Sequence, residues 1–240
     1  QSSFWSLGGL LAVHSEGRDR ESIWQEMKRK EVYATTGHRI LLHFDLMNEG
    51  TAKPMGSFIQ SKSNPKFRVK AVGSFKQLPG CPNYVYEALS EKRIQKISDG
   101  ECYHPSDERY QLERIEVIKI TPQNSKNEDP STLIFDTWKT FECDSNQVEC
   151  EIEFTDENFE NQQRDAVYYV RVIEEDTLLV NGSNLRTQFD ADGHPISVDQ
   201  CHADYREDYE EECLGPGGHR AWSSPIFVDY KEKVSADIMV

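Results

Sequence analysis

Residues 20–40, RESIWQEMKRKEVYATTGHRI, join an amphipathic helix to a Tyr-Ala-Thr-Thr-Gly turn and a strand. Ile23, Trp24 and Met27 fall on one helical face, and Asp19 stands where an N-cap carboxylate meets the first free N–H groups. Lys28, Arg29 and Lys30 suit the negative end of the macrodipole. The spacing predicts a helix ended by the basic run, and the stretch reads as the end of a domain. Past Gly37 the pattern changes to alternating or β-branched runs separated by turn residues. Strands are expected at 39–47, 67–74, 112–121, 132–138, 148–154, 166–174 and 226–230, enough for two packed, mainly antiparallel sheets in a β-sandwich-like fold. Periodicity leaves 84–96 open between a short helix and another strand. Residues 124–130 form a polar turn cluster, and 156–164 a charged loop or helical turn.

Composition narrows the function classes. The chain has 240 residues, 37% of them hydrophobic, with ten Tyr and eleven Phe, sufficient for a sizeable core. Its 27 basic and 42 acidic residues give a formal charge of −15, which repels a phosphate backbone and argues against nucleic acid as a partner. No apolar run is long enough for a membrane span. Six cysteines without a Cys-x-x-Cys pair read as disulfides, expected as Cys81–Cys102, Cys143–Cys150 and Cys201–Cys213 because each sequential pair closes a turn-rich loop. Disulfides imply an oxidising compartment, the periplasm or the outside of the cell.

The opening stretch resembles a bacterial family, domain of unknown function 3604, whose members carry a PHP-type, metal-dependent phosphoesterase-like region followed by a β-rich tail. Gly8-Gly9-Leu10-Leu11-Ala12-Val13 with Glu16 is similar to the family's Gly-Gly-Leu strand and acidic residue. Asp165-Ala166-Val167-Tyr168-Tyr169-Val170-Arg171-Val172 and Arg220-Ala221-Trp222-Ser223-Ser224-Pro225-Ile226 resemble its closing motifs. The resemblance implies that residues 1–40 are the terminal strand and helix of an α/β PHP-like domain, and 41–240 a disulfide-stapled β-sandwich-like domain. The family's divalent metal is held mainly by His and Asp motifs upstream of the Gly-Gly-Leu strand. Gln1, without an initiator Met or a signal peptide, leads to the expectation that the chain is the C-terminal portion of a longer protein whose upstream part is its partner. The implied reaction is attack of metal-activated water on a small-molecule phosphoester or related ester. This portion alone would be inactive.

Candidate site residues follow. His14, Glu16, Arg20 and His38 lie around the start of the resembling region, on segments that could line the upstream domain's cleft. Arg20 matches a family position, whereas His14 and His38 replace Trp and Pro, so no family role transfers to them. Packing histidines and a Glu16–Arg20 ion pair at the helix start are the plainer readings. Asp190-Ala191-Asp192-Gly193-His194 offers oxygen ligands for Ca²⁺ but departs from the EF-hand pattern, and reads equally as an Asp-Gly turn. His202 and Asp204, with Asp208, Glu210, Glu211 and Glu212, form a second possible metal patch or a solvated acidic loop closed by Cys201–Cys213. Asn181-Gly182-Ser183 is a sequon or a simple turn.

The competing function is a β-sandwich binding module for glycan or protein, with Trp5, Trp138 or Trp222 as a stacking platform. An exposed apolar face on the first helix would favour the hydrolase portion, and an aromatic groove the binding module.

Overall fold

The structure, a computed structural model, describes residues 8–99, 102–180, 182–199 and 213–231. In chain order the elements are β1 (Leu10–Val13), α1 (Arg20–Arg29), β2 (Val32–Thr35), β3 (Leu41–Leu46), β4 (Lys53–Pro54), β5 (Phe58–Ser61), β6 (Lys66–Val72) and β7 (Phe75–Pro79). There follow α2 (Asn83–Ala88), α3 (Glu91–Ser98), β8 (Tyr103–Arg109), β9 (Leu112–Ile120), β10 (Ile134–Glu142), β11 (Glu149–Thr155) and α4 (Phe159–Gln162). The last are β12 (Ala166–Val180), β13 (Thr187–Phe189), β14 (Pro195–Val198), β15 (Leu214–Ser223) and β16 (Ile226–Tyr230).

The fold is mainly β. An eight-stranded sheet is built around the long β12, with β9 and then β10 on one flank. Along the other flank β15 and β16 follow one another end to end, Trp222 opposite Arg171 and Ile226 opposite Tyr168. Pro225 lacks an N–H and cannot continue the ladder. The gap is filled by the Ser223 hydroxyl, which accepts the Val170 N–H at 3.0 Å. Strand β2 pairs with β15, and β1 with β2, so one sheet contains residues from both sides of position 40. Strand β5 runs parallel to β16. The second sheet is antiparallel in the order β11-β6-β3-β4.

Period-two alternation sets which face is covered. In β3, Leu42, Phe44 and Leu46 are buried while Leu41, His43 and Asp45 point away; in β6 the buried set is Phe67, Val69 and Ala71. These residues share one core with Ile115, Val117, Tyr168, Val170 and Val172 of the larger sheet. The Phe67 ring lies 4.7 Å from that of Tyr168, directly across the two sheets. Cys143, just after β10, is bonded to Cys150 in β11, so this disulfide also ties one sheet to the other.

Two sequence expectations take definite form. Segment 84–96 is helical, as α2 and α3, at the tip of an arm whose stem is the β7–β8 ribbon, with Cys81–Cys102 closing the far end of that ribbon where the helices begin. Helix α1 is capped as expected, with Asp19 Oδ1 accepting the Ser22 N–H at 3.0 Å and Lys30 in the left-handed region at the end. Its orientation is the unexpected part. Glu26 is its buried residue, bonded to Arg29, whereas Trp24 is 50% and Met27 42% exposed.

Candidate functional site: two stacked imidazoles and a buried carboxylate

Strand β12 alternates as far as Val172, and then Ile173 and Glu174 are both buried. The reason is a slip in the ladder. Ile173 faces Arg114, but Glu174 faces Leu112, and the pairing with β15 skips from Ile173 to Asp176. A β-bulge re-aims a side chain, and here it turns a carboxylate of 1% exposure inward. Gly218 on β15 accommodates the bulge, since a Cβ there would stand 2.4 Å from the Glu174 carbonyl oxygen.

The turn after β2 delivers the partner. Gly37 has φ +121°, and its close approach to Gly8 leaves His38 pointing at the bulge. His38 Nδ1 lies 2.6 Å from Glu174 Oε2, and Glu174 Oε1 accepts the Ser74 N–H at 2.6 Å. The His38 ring is stacked between Tyr110, at 4.8 Å, and His219 of β15, at 3.5 Å. His219 Nδ1 in turn lies 2.8 Å from the Thr36 hydroxyl, which also accepts the Arg220 N–H. Burial first, and His38 second, depress the His219 pKa to about 4, with Glu174 opposing them. His219 is therefore neutral at pH 7.

A buried carboxylate bonded to Nδ1–H fixes the tautomer of an imidazole and leaves Nε2 to accept or donate a proton. His38 has a side chain 23% exposed, so it meets solvent while Glu174, at 1%, does not. The two imidazoles do not form a ligand pair as they stand. Their planes differ by 18° and stack, so their lone pairs run side by side instead of converging on one ion at about 2.0–2.1 Å.

The other expected residues fall elsewhere. His14 Nε2 bonds the Leu42 carbonyl at 2.8 Å, and its ring lies 4.3 Å from that of His43, whose pKa is lowered by burial and then by His14. Glu16 and Arg20 are exposed and form no ion pair with each other among the described contacts. Asp190, Asp192 and His194 have ligand atoms within 4.8 Å of one another but are exposed. Asp190 Oδ1 already accepts the N–H groups of Asp192 and His194, the bonding of a turn closed by Gly193 at φ +82°. His202, Asp204, the rest of that acidic loop, Trp5 and Asn181 lie outside the described residues. Two expected disulfides are present; of the third pair, Cys201 lies outside the described residues and Cys213 carries no free thiol. Trp138 and Trp222 are half-buried, Trp138 edge-on to Phe154.

Sequence reasoning missed Glu174 and His219, although both border motifs it had singled out. The available signal was a pair of glutamates ending an otherwise apolar strand, and a histidine after a Gly-Pro-Gly-Gly run. A second buried polar cluster also went unread. Lys119 Nζ meets Asp156 Oδ2 at 2.5 Å and Gln162 at 2.9 Å, and the Tyr168 hydroxyl donates to the same Asp156 oxygen at 2.6 Å. Burial and then Asp156 push the Tyr168 hydroxyl pKa strongly upward, so it remains a donor.

Comparison with known proteins found no match among the curated proteins or the solved structures. Residues 1–77, which contain β1 to β6 and His38 but neither Glu174 nor His219, match the family described as protein of unknown function (DUF3604), so the match supports the resemblance over the N-terminal third of the chain and does not reach the motifs at 165–172 and 220–226.

Proposed function

We propose that this chain is the β-rich accessory portion of a secreted or periplasmic, metal-dependent, phosphoesterase-like hydrolase, whose metal is held by a PHP-like α/β layer packed against α1 and β1. The observation that supports this reading is the outward apolar face of the N-terminal unit. Trp24 and Met27 on α1 are exposed beside Leu10 at 41% and Leu11 at 55% on β1. Among the described residues strand β1 has one partner, β2, and its other edge carries no strand. An open strand edge flanked by an apolar helix face is the border of an unfinished layer. The two disulfides fit the oxidising compartment that the proposal requires.

In this reading the metal supplies an activated water and charge stabilisation. The residues of this chain hold the metal-bearing layer in register through α1 and β1, and the stapled sandwich keeps that surface rigid. The test is native and denaturing mass spectrometry of the protein purified from its own cells, with metal analysis and assay on phosphoester substrates. A larger chain or an associated segment with stoichiometric divalent metal and hydrolysis is expected. A lone 27.7 kDa species without metal or activity would remove the proposal.

A second reading, a binding module for glycan or protein, is favoured by one groove. It has a volume of about 480 Å³ and lies beside β5, lined by Thr51, Lys53, Phe58, Ile59 and Gln60. Phe58 is 63% exposed and stacks on Phe227 at 4.2 Å. Binding of the full chain to an oligosaccharide array, lost in Phe58→Ala, would move the assignment to this reading.

A further inference from the structure

The root of the arm converges on Glu174. Ser74, which leads into β7, gives its N–H to Glu174 Oε1 and its carbonyl to the Tyr110 N–H at 2.9 Å. Tyr110, which follows β8, stacks on His38. Gly73 is held at the same place, since a Cβ there would lie 1.9 Å from the Tyr110 carbonyl oxygen, and its own carbonyl accepts from Arg109 Nη1 at 2.5 Å. Both ends of the arm thus rest on the Glu174–His38 pair.

That pair contains one buried carboxylate for two imidazoles. The turn after β2 contributes His38 and the Thr36 hydroxyl; the arm contributes Tyr110, with Lys76 Nζ 5.6 Å above its ring, and Arg109. Strand β12 contributes Glu174 and Glu175, the latter occupied by the Gln111 N–H at 3.1 Å. Strand β15 contributes His219 and the backbone N–H of Arg220. Glu174 is already bonded to His38 and Ser74. A proton on His219 would set a positive charge face to face with the His38 ring at 3.5 Å, with Glu174 the one carboxylate against the pair among the described residues.

We propose that the Tyr110–His38–His219 stack on Glu174 is an acid-sensitive clamp, closed at neutral pH, that frees the root of the Cys81–Cys102 arm when His219 takes up a proton. The charge on His219 competes with His38 for the one carboxylate, Glu174, and displaces His38. The displacement breaks its bond to Glu174 and withdraws the surface on which Tyr110 is stacked. The depressed His219 pKa keeps the clamp closed until the pH falls toward about 4. The arm that is released carries Tyr84, Ile97 and Tyr103, exposed by 70, 61 and 60%.

Hydrogen exchange of the full oxidised chain, followed by mass spectrometry between pH 7 and pH 4 and corrected for intrinsic exchange, tests the clamp. Peptides covering 73–80 and 103–111 are expected to lose protection by about tenfold or more, while β3, β6 and the first half of β12 hold theirs. His219→Phe, which stacks but does not titrate, should make root protection independent of pH; should it fail to fold, His219→Gln serves the same purpose. Glu174→Gln should leave the root open at pH 7. Root protection that stays flat to pH 4, that falls together with the core, or that keeps the native profile in the His219 variant would overturn the proposal.

Discussion

His38 and Glu174, 136 positions apart in the sequence, meet at 2.6 Å, and each stands next to a backbone irregularity. His38 leaves the turn at Gly37, and Glu174 leaves the ladder at the β12 bulge. Removing the carboxylate strands the Ser74 N–H in a buried site and deprives His38 of its acceptor. Glu174→Ala should therefore cost about 1–3 kcal/mol, and His38→Gln less because His38 is partly exposed. Urea denaturation of the two variants measures the difference; equal losses would contradict it.

Stability should fall on mild acidification. The His219 pKa moves from 6.5 to about 4 on folding, so below 6.5 the unfolded chain binds a proton that the native chain refuses. The stabilising contribution is complete above 6.5 and is lost as the pH falls toward 4, roughly 3 kcal/mol over the whole window. Denaturation curves of the native chain and of His219→Phe at several pH values should converge on acidification. Parallel curves would show that His219 does not titrate in this way.

Lys119 and Asp156 have side chains of 4% and 1% exposure, so loss of one partner leaves the other charge buried. Asp156→Ala is expected to cost about 3–5 kcal/mol, whereas Lys119→Met with Asp156→Leu should recover much of it. A double-mutant cycle by chemical denaturation gives the coupling. Additive losses would mean that the two side chains act independently.

The two disulfides should fail differently. Cys143–Cys150 joins the two sheets, and Cys143→Ala with Cys150→Ala should lower global stability by about 2–3 kcal/mol. Cys81–Cys102 closes an arm that stands apart from the core, so its removal should raise proteolysis of residues 75–109 and leave the midpoint of global unfolding nearly in place. Limited proteolysis and thermal denaturation of the paired variants separate these effects.

Trp24→Glu with Met27→Glu should change the stability of this chain by no more than about 0.5 kcal/mol, because both side chains face outward. The same double variant should lose association with an α/β companion, measured by analytical size exclusion. A large loss of stability would place these residues in the core of this portion.

The sequence alone determined what depends on neighbours along the chain. Alternation gave the strands near 41–46, 66–72, 112–120 and 149–155; the Asp19 carboxylate and the basic run gave α1; short separations gave Cys81–Cys102 and Cys143–Cys150. Each is a matter of local dihedral preference, local hydrogen bonding or the ease of closing a short loop. The tertiary structure decided which face of α1 is covered. Periodicity gathers Ile23, Trp24 and Met27 on one side but cannot tell what lies opposite, and here the buried side holds Glu26. It also decided the site. A bulge shifts the pairing by one residue and so reverses the side that a residue faces, and that slip, together with contacts from β2, β6, β9 and β15, placed His38, Glu174 and His219 together.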